Sequence, residues 1–229
     1  MSTVKLVVPA GTPAYVALTD QLRSEILSGQ ISHGKRLTVA ELVGRYGFSQ
    51  MPVREALQAL QGEGLITILP HRGARVLSLT TKYIRNVYEI RSAIEVMLAK
   101  DSLQNVSRRH IQRIEAAEER FAVAAASGDD DQVFLLNREF HFLLYSLADN
   151  DEAVRLYDHY NSLSRALRRA YGYSSRRRDE MVKDHDDTLE ALRTQDEEGL
   201  IRSIQRQSNR GMDDLIARLG QQEPQGSQA

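Results

Sequence analysis

Hydrophobic positions recur with two different periods along the chain, and the pattern turns from mixed to purely helical near residue 79. Between Ala14 and Ser28, the residues Val16, Leu18, Leu22, Ile26 and Leu27 recur at roughly helical spacing, and Gly29 closes the segment. After the turn Ser32-His33-Gly34, Thr38 is placed to cap a short helix with Leu42 and Val43 facing inward, and Gly47 breaks it. Ser49 then caps a third helix that has Pro52 in its first turn and Val53, Ala56, Leu57 and Leu60 on one face. The run Leu65 to Leu69 is β-rich, Pro70-His71-Arg72-Gly73 reads as a turn, and Ala74 to Leu79 alternates as a second strand. Two short helices joined by a glycine turn and followed by a hairpin predict a winged helix-turn-helix, with the hairpin as its wing.

From residue 80 onward strand signals vanish, and six amphipathic helices are expected over roughly 80–104, 107–127, 130–148, 150–172, 175–195 and 196–219. Gly128 with Asp129, Asp149-Asn150 and Gly172 mark the breaks between them. The fold class is therefore mainly α: a winged helix-turn-helix of three helices plus a β-hairpin, followed by an all-α antiparallel bundle. The expected organisation is a flexible arm over 1–13, a DNA-binding domain over 14–79, a helical domain over 80–219 and a disordered polar tail over 220–229. A chain of 229 residues suits two domains of unequal size.

Composition adds exclusions. Without cysteine there is no disulfide, thiolate metal site or cysteine nucleophile. No run approaches the length of a membrane span, and Met1 to Pro9 lacks the basic start and apolar core of a signal peptide, so a soluble cytoplasmic protein with no membrane partner is expected. The first 79 residues carry 8 Lys and Arg against 5 Asp and Glu, whereas residues 80–229 carry 22 against 26. That small asymmetry points the front of the chain toward a polyanion.

A recognition helix presents polar side chains at its start to the major groove while its other face packs on its domain. Ser49, Gln50, Met51 and Arg54 stand at such a start, and Arg54 has the fork that matches guanine O6 and N7. At the wing tip, His71 and Arg72 offer polar contact while Gly73 permits close backbone approach. Taken singly, Ser49 is a cap, Pro52 a helix starter and Arg54 a solvated charge; their order along the chain favours DNA. The stretch Leu22 to Gly29, then Leu37, Glu41-Leu42, Gly47-Phe-Ser49, Pro52-Val-Arg-Glu-Ala-Leu57, Gly64-Leu65 and His71-Arg-Gly73, resembles the GntR-family winged helix over residues 14–79. The resemblance implies that Arg54 and Ser49 to Met51 face operator DNA. Ala40 departs from it, standing where many relatives carry an arginine.

In the second half, Asn137 and His141 lie one turn apart on one helix face, and His185 lies two helices later. Such groups inside a bundle are where metals and small polar ligands are held. The pattern Asn137-x3-His141 with Phe140, Asn150 and His185 resembles the FadR-type ligand domain called FCD in its six-helix VanR-like form, over residues 80–219. That resemblance implies a divalent metal (Zn, Ni or Mn) held by an Asp-x3-His pair and two later histidines, with an organic-acid effector on it. Here Asn137 replaces the aspartate and Gln207 the last histidine, which weakens a site left with His141, His185 and Asn137. With the metal lost, the cavity is expected to hold an organic acid through Arg91, whose other reading is an ion pair with Glu95. His141 and His185 have the alternative of being satisfied core histidines. The run Arg176 to Arg178 reads as a solvated helix start, and no role is assigned to His33, His110 or His159.

The expectation that results is a homodimeric regulator, a repressor by resemblance, whose paired winged helices bind double-stranded operator DNA and whose helical domain senses a small organic acid. Two rivals stand beside it. One is the same dimer with a degenerate pocket that senses nothing; the other is an HD-type phosphohydrolase suggested by His185-Asp186, which lacks the further charged ligands and general base that chemistry requires.

Overall fold

The computed structural model describes residues 11–70, 72–77 and 80–222. They fall into two compact units: the chain to Thr80 together with His159–Ala166, and Thr81–Asp158 together with the chain from Leu167. A reading of contiguous segments does not anticipate that part of one long helix counts with the first unit.

The first unit begins with α1 (Ala14–Leu27), whose Leu18, Leu22, Ile26 and Leu27 are buried. After the two-residue strand β1 (Arg36–Leu37) comes α2 (Val39–Tyr46), capped by the Thr38 hydroxyl, which accepts from the Glu41 amide at 3.1 Å. Gly47 ends α2 in the left-handed region at φ 74°, a conformation glycine adopts without steric cost. Helix α3 (Gln50–Gly62) then buries Val53, Ala56, Leu57 and Leu60, the four positions its periodicity predicts. A guanidinium fork from Arg23 on α1 bonds Glu63 just beyond α3, and Glu25 of α1, nearly fully buried, accepts from Tyr46 Oη and pairs with Arg45, each at 2.7 Å. These contacts fix α1 against the end of α2 and the end of α3.

Strands β2 (Ile66–Leu69) and β3 (Gly73–Val76) form the hairpin, and β1 adds to its other edge, giving an antiparallel sheet of order β1-β3-β2. The sequence signals miss β1 because two residues carry no alternation. The second strand is shorter than the predicted 74–79: it ends at Val76, Leu77 follows it as coil, and Ser78 and Leu79, like His71 at the wing tip, lie outside the described residues. Ala74 and Val76 point inward and Arg75 outward, as the pleat dictates.

The second unit contains α4 (Thr81–Asn105), α5 (Arg108–Ser127), α6 (Asp130–Tyr145), α7 (Asp151–Tyr171), α8 (Ser175–Thr194) and α9 (Glu197–Gln222). Helix α5 packs on α6 and α8, while α9 packs on α4 and α8. One apolar cluster gathers Leu98, Ile114, Phe140, Leu144, Tyr145, Tyr157, Leu192 and Ile204; a second gathers Phe121, Val133, Phe134, Tyr173 and Met181. Side-chain caps start four of these helices: Ser107, Asp129, Asn150 and Ser174 each accept from an amide in the first turn. His110 completes a capping box with Ser107, which gives it a structural part. Two predicted boundaries move. Helix α6 stops at Tyr145 rather than 148, because Leu147 and Ala148 take tighter turn bonds to Leu144 and Tyr145. Helix α9 runs on through Gln222, so residues 220–222 of the expected tail are helical, and 223–229 lie outside the described residues.

Gly73 is the tightest point of the wing: its φ is +88°, and a Cβ there would come within 2.1 Å of the Leu37 carbonyl oxygen. Gly73→Ala should therefore break the β1–β3 pairing and cost about 2 kcal/mol or more in urea denaturation. An unchanged midpoint would show that the wing tolerates the backbone shift.

Candidate functional site

Two places bring the predicted residues together. The first is the exposed start of α3. Ser49 has extended backbone at the cap position, yet its hydroxyl accepts no bond from the helix, so its side chain is not consumed by capping. Ser49, Gln50, Met51 and Arg54 are all exposed, Met51 to 67%. The Arg54 guanidinium has no ion-pair or hydrogen-bond partner among the described residues. An exposed methionine and an unpaired arginine beside it make a surface that a groove of base edges would complement.

The wing adds a group that the sequence reading leaves incomplete. Arg36 and Arg75 stand opposite each other in the β1–β3 register, both exposed, and Arg36 Nε donates to the Arg72 carbonyl at 2.8 Å. Like charges across a strand pair repel; a row of Arg36, Arg75 and the exposed Arg72 is relieved when phosphates lie against it. Strand alternation gave a signal for Arg75, whereas Arg36 had none.

The second place is the interior of the helical unit. His185 of α8 is fully buried, its ring stacked on Phe140 at 3.9 Å and tilted against Phe121. Its Nδ1 meets Glu118 Oε2 of α5, and its Nε2 lies 3.1 Å from Asn137 Oδ1 of α6. Burial, reinforced by Asp186, pushes the Glu118 carboxyl up to about 9, while burial, followed by the charges of His141 and Arg177, holds His185 well below its ordinary value. Both groups are therefore neutral near pH 7. The consistent proton assignment is a Glu118 hydroxyl donating to Nδ1 and an Nε2–H donating to Asn137.

His141, 6% exposed, meets His185 edge-on at 5.3 Å and stacks with Tyr145 at 5.5 Å. Burial, then the Arg91 and Arg177 charges, lowers its imidazole to about 3. His141 Nδ1, Tyr145 Oη and Glu118 Oε1 are buried without hydrogen-bond partners. Arg91 pairs with buried Glu95 at 3.1 Å and covers the Tyr88 ring, so its predicted ion pair is present. Gln207 is buried, and its amide nitrogen donates to Thr188 Oγ1, Ser203 Oγ and the Asp184 carbonyl.

The residues present do not fit the divalent metal that the FCD resemblance implies. His185 Nε2 and Asn137 Oδ1, two of the atoms it would need, bond to each other, and Gln207 offers only a neutral amide whose nitrogen is held by Thr188 and Ser203. The Glu118 carboxyl that meets His185 is held neutral by burial and does not replace the missing negative charge, and two guanidinium groups bear on the imidazoles. Among the described residues no three His, Asp or Glu groups are grouped to hold a metal. The His185-Asp186 pair does not converge either, since Asp186 is exposed while His185 is buried.

One sequence expectation is overturned. Of the run Arg176 to Arg178, only Arg176 is solvated: Arg177 is 5% exposed and donates to Asp184 at 3.1 Å and to the Gln207 carbonyl at 3.2 Å, and Arg178 is half-buried against Asp130. The reason is helical phase, because Arg177, Met181, Asp184, His185 and Thr188 all share the inward face of α8. Glu118 was also missed; it lies in an acidic run of α5, and only the fold brings it to His185.

The titration of this cluster leaves a readable trace in stability. Between about 4.5 and about 9 the folded chain keeps a proton on Glu118 that the unfolded chain has lost, so this group makes stability fall as pH rises through that window. His141 acts oppositely below 6.5, where the unfolded chain binds the proton and the folded one does not until about 3. Glu118→Gln, neutral at every pH, should match the wild type near pH 5 and become progressively more stable than it toward pH 9 in urea melts. Parallel curves would show that Glu118 ionises normally.

Comparison with known proteins agrees with this architecture. The profile of the gntR family of bacterial regulatory proteins matches residues 14–76, and that of the FCD domain matches residues 86–208. The chain is 26% identical over 188 residues to the HTH-type transcriptional regulator YdhC of Bacillus subtilis, covering 82% of this chain and 84% of that one. It is 33% identical over 128 residues to the transcriptional repressor RspR of Escherichia coli, covering 56% of each. The crystal structure of a GntR family member from Pseudomonas syringae matches with a TM-score of 0.55 at 26% identity, over 96% of this chain and 91% of that one. With a winged helix in front, a polar-cored helical bundle behind and both profiles in that order, the chain belongs to the GntR family of DNA-binding transcription regulators, in the branch that carries an FCD domain.

Proposed function

We propose that this chain works in the cytoplasm as a homodimeric repressor, placing one α3 in each of two successive major grooves of a palindrome-like operator until a small organic acid enters the helical bundle. The observation that carries the DNA reading is Arg54: exposed, unpaired among the described residues, and one turn into a helix whose first side chains are free of capping duty. Ser49, Gln50 and Met51 supply the neighbouring contacts, while Arg72 and the close backbone at Gly73 bring the wing to the sugar-phosphate edge. A repressor role follows the description of RspR, which is named as one. The effector site is built from His141, His185, Asn137 and Gln207 with Arg91 beside them, and it takes the acid directly, without a metal. Effector binding lowers operator affinity only insofar as the acid prefers the arrangement of the dimer that does not fit the operator.

Arg54→Ala should cost about 1–3 kcal/mol of discrimination at one operator position while leaving nonspecific affinity little changed. Electrophoretic mobility shifts on operator and single-position variants measure it; equal binding of operator and scrambled DNA by the wild type would refute sequence reading. Chelation with EDTA should leave the acid-dependent release from operator intact. A response that disappears with EDTA and returns with zinc or nickel would establish a metal-borne effector instead.

A further inference from the structure

Helix α3 sorts its side chains by face. Val53, Ala56, Leu57 and Leu60 are buried, and the exposed side carries Gln50, Met51, Arg54, Glu55, Gln58 and Gln61. Met51 is the one apolar side chain of that exposed set. At 67% it is also the most exposed methionine among the described residues: Met97 of α4 stands at 41%, Met212 of α9 is half-buried and Met181 of α8 is at 3%. A single apolar side chain on a surface is ordinary in itself. Met51 is set apart by its place, three residues before Arg54 and on the same side of the helix, at the end of α3 that meets the major groove in the proposed complex.

Base edges in that groove present mostly hydrogen-bond acceptors, namely guanine N7 and O6, adenine N7 and thymine O4, together with one apolar group, the thymine C5-methyl. Arg54 supplies donors for the acceptors. The Met51 thioether has none to supply, and its flexible apolar chain matches the methyl. The same sulfur has a second chemistry. The chain contains no cysteine, so a two-electron oxidant meets no thiol, and Met51 is the methionine that solvent reaches most freely. A sulfur lone pair attacks an oxygen of hydrogen peroxide or hypochlorous acid, and the O–O or O–Cl bond breaks. The sulfoxide forms while water, or chloride and a proton, leaves; sulfur loses two electrons and the oxidant gains two. A sulfoxide oxygen only accepts hydrogen bonds. Against the thymine methyl it would be stripped of its water without a new partner, and against the neighbouring base acceptors it would repel.

We propose that Met51 reads a thymine methyl in the operator and is an oxidation site, where hydrogen peroxide or hypochlorous acid converts its thioether to the sulfoxide and so releases the regulator from DNA with no ligand in the helical unit. This rests on the reading of α3 as the DNA-reading helix and gives that surface a chemical input of its own. Because Met51 stands outside the buried face of α3, its oxidation changes what the helix offers to DNA and leaves the packing of the winged unit in place. The change is reversible, since reduction by two thiols removes the oxygen as water and leaves a disulfide on the reductant. Met181, within the apolar cluster of Phe121 and Phe134, is shielded from the same reaction.

The test uses the full-length protein and, as probe, a duplex selected from a random-sequence pool by the unoxidised wild type. Wild type, Met51→Leu and Met97→Leu are treated with hydrogen peroxide or hypochlorous acid, the sulfoxides are located by peptide mass spectrometry, and mobility shifts are read before and after. In the wild type Met51 should be oxidised ahead of Met97 and Met181, the melting temperature should hold, and affinity for the probe should fall about tenfold or more. Methionine sulfoxide reductases with a dithiol should restore it. Met97→Leu should lose affinity on oxidation as the wild type does, whereas Met51→Leu, with its own untreated affinity as reference, should show no loss. Uracil in place of thymine, position by position, should weaken the unoxidised wild type at one position of each half-site, and Met51→Ala should not distinguish the two bases there. A Met51→Leu that loses as much on oxidation as the wild type, or a fully formed Met51 sulfoxide that keeps full affinity, would overturn the oxidation site while the specificity of the unoxidised protein left the reading of α3 standing. Indifference to uracil at every position would overturn the methyl contact. An unoxidised wild type that binds the selected duplex no better than a scrambled one would overturn the proposal and the reading of α3 together.

Discussion

A carboxylate sealed from solvent governs the helical unit. Asp184 has no exposure, and an isolated charge in such a place would cost several kcal/mol, so the helices around it must bring cations inward. Arg177 comes from the start of its own helix, and Arg206 and Arg210 from α9, which clamps α8 to α9 along the inner face. The Asp184 backbone takes part too, because its carbonyl accepts from the Ser203 hydroxyl and the Gln207 amide. Replacing these charges with apolar packing would be no less stable in principle. Their retention gives the interior a fixed field in which neutral histidines and an incompletely paired arginine can be held.

The winged unit solves a related problem with the same device. Glu25 of α1 is almost fully buried, and Tyr46 and Arg45 at the end of α2 close on it. Burial and the Glu25 bond both push the Tyr46 phenol above its ordinary value, so the hydroxyl keeps its proton and acts only as donor. The end of α2 is thereby held by a polar contact beside its buried Leu42, while α3 is held by apolar packing of Val53, Ala56, Leu57 and Leu60 and by the Arg23–Glu63 pair at its end. The side of α3 that carries Arg54 packs against nothing among the described residues and is open to DNA.

What the sequence disclosed follows from the range of each interaction. Caps, left-handed glycines and helical stripes depend on residues within one or two turns, so Thr38, Gly47 and the inward face of α3 were legible. Asn137 and His141 were legible because spacing alone puts them on one face, although nothing local showed that Asn137 would bond His185 rather than a metal. Glu118 was not legible, since it meets His185 from 67 residues away. Arg177 misled for a different cause: a run of three arginines with acidic neighbours looks solvated, and only the phase of α8 turns the middle one inward. Strand β1 escaped because two residues show no period, although its Arg36 joins the basic edge of the wing.

Incomplete pairing in the interior links these observations to regulation. Each buried polar atom left without a partner costs the folded chain about 1–3 kcal/mol relative to a satisfied one. A ligand that satisfies such an atom recovers that energy on binding, and a native-state ligand raises stability in proportion to the logarithm of its concentration. The same linkage defines the condition for control of DNA. A ligand must bind one state of the regulator better than the other, since equal binding to both would stabilise the protein and leave operator affinity unchanged. Asp184 ties α8 to α9 and the Glu118–His185–Asn137 chain ties α5, α8 and α6, so a ligand acting on this interior would act through small shifts of these helices. Packed helices take up such shifts as discrete rearrangements rather than continuous deformation, which is the property a two-state regulator requires.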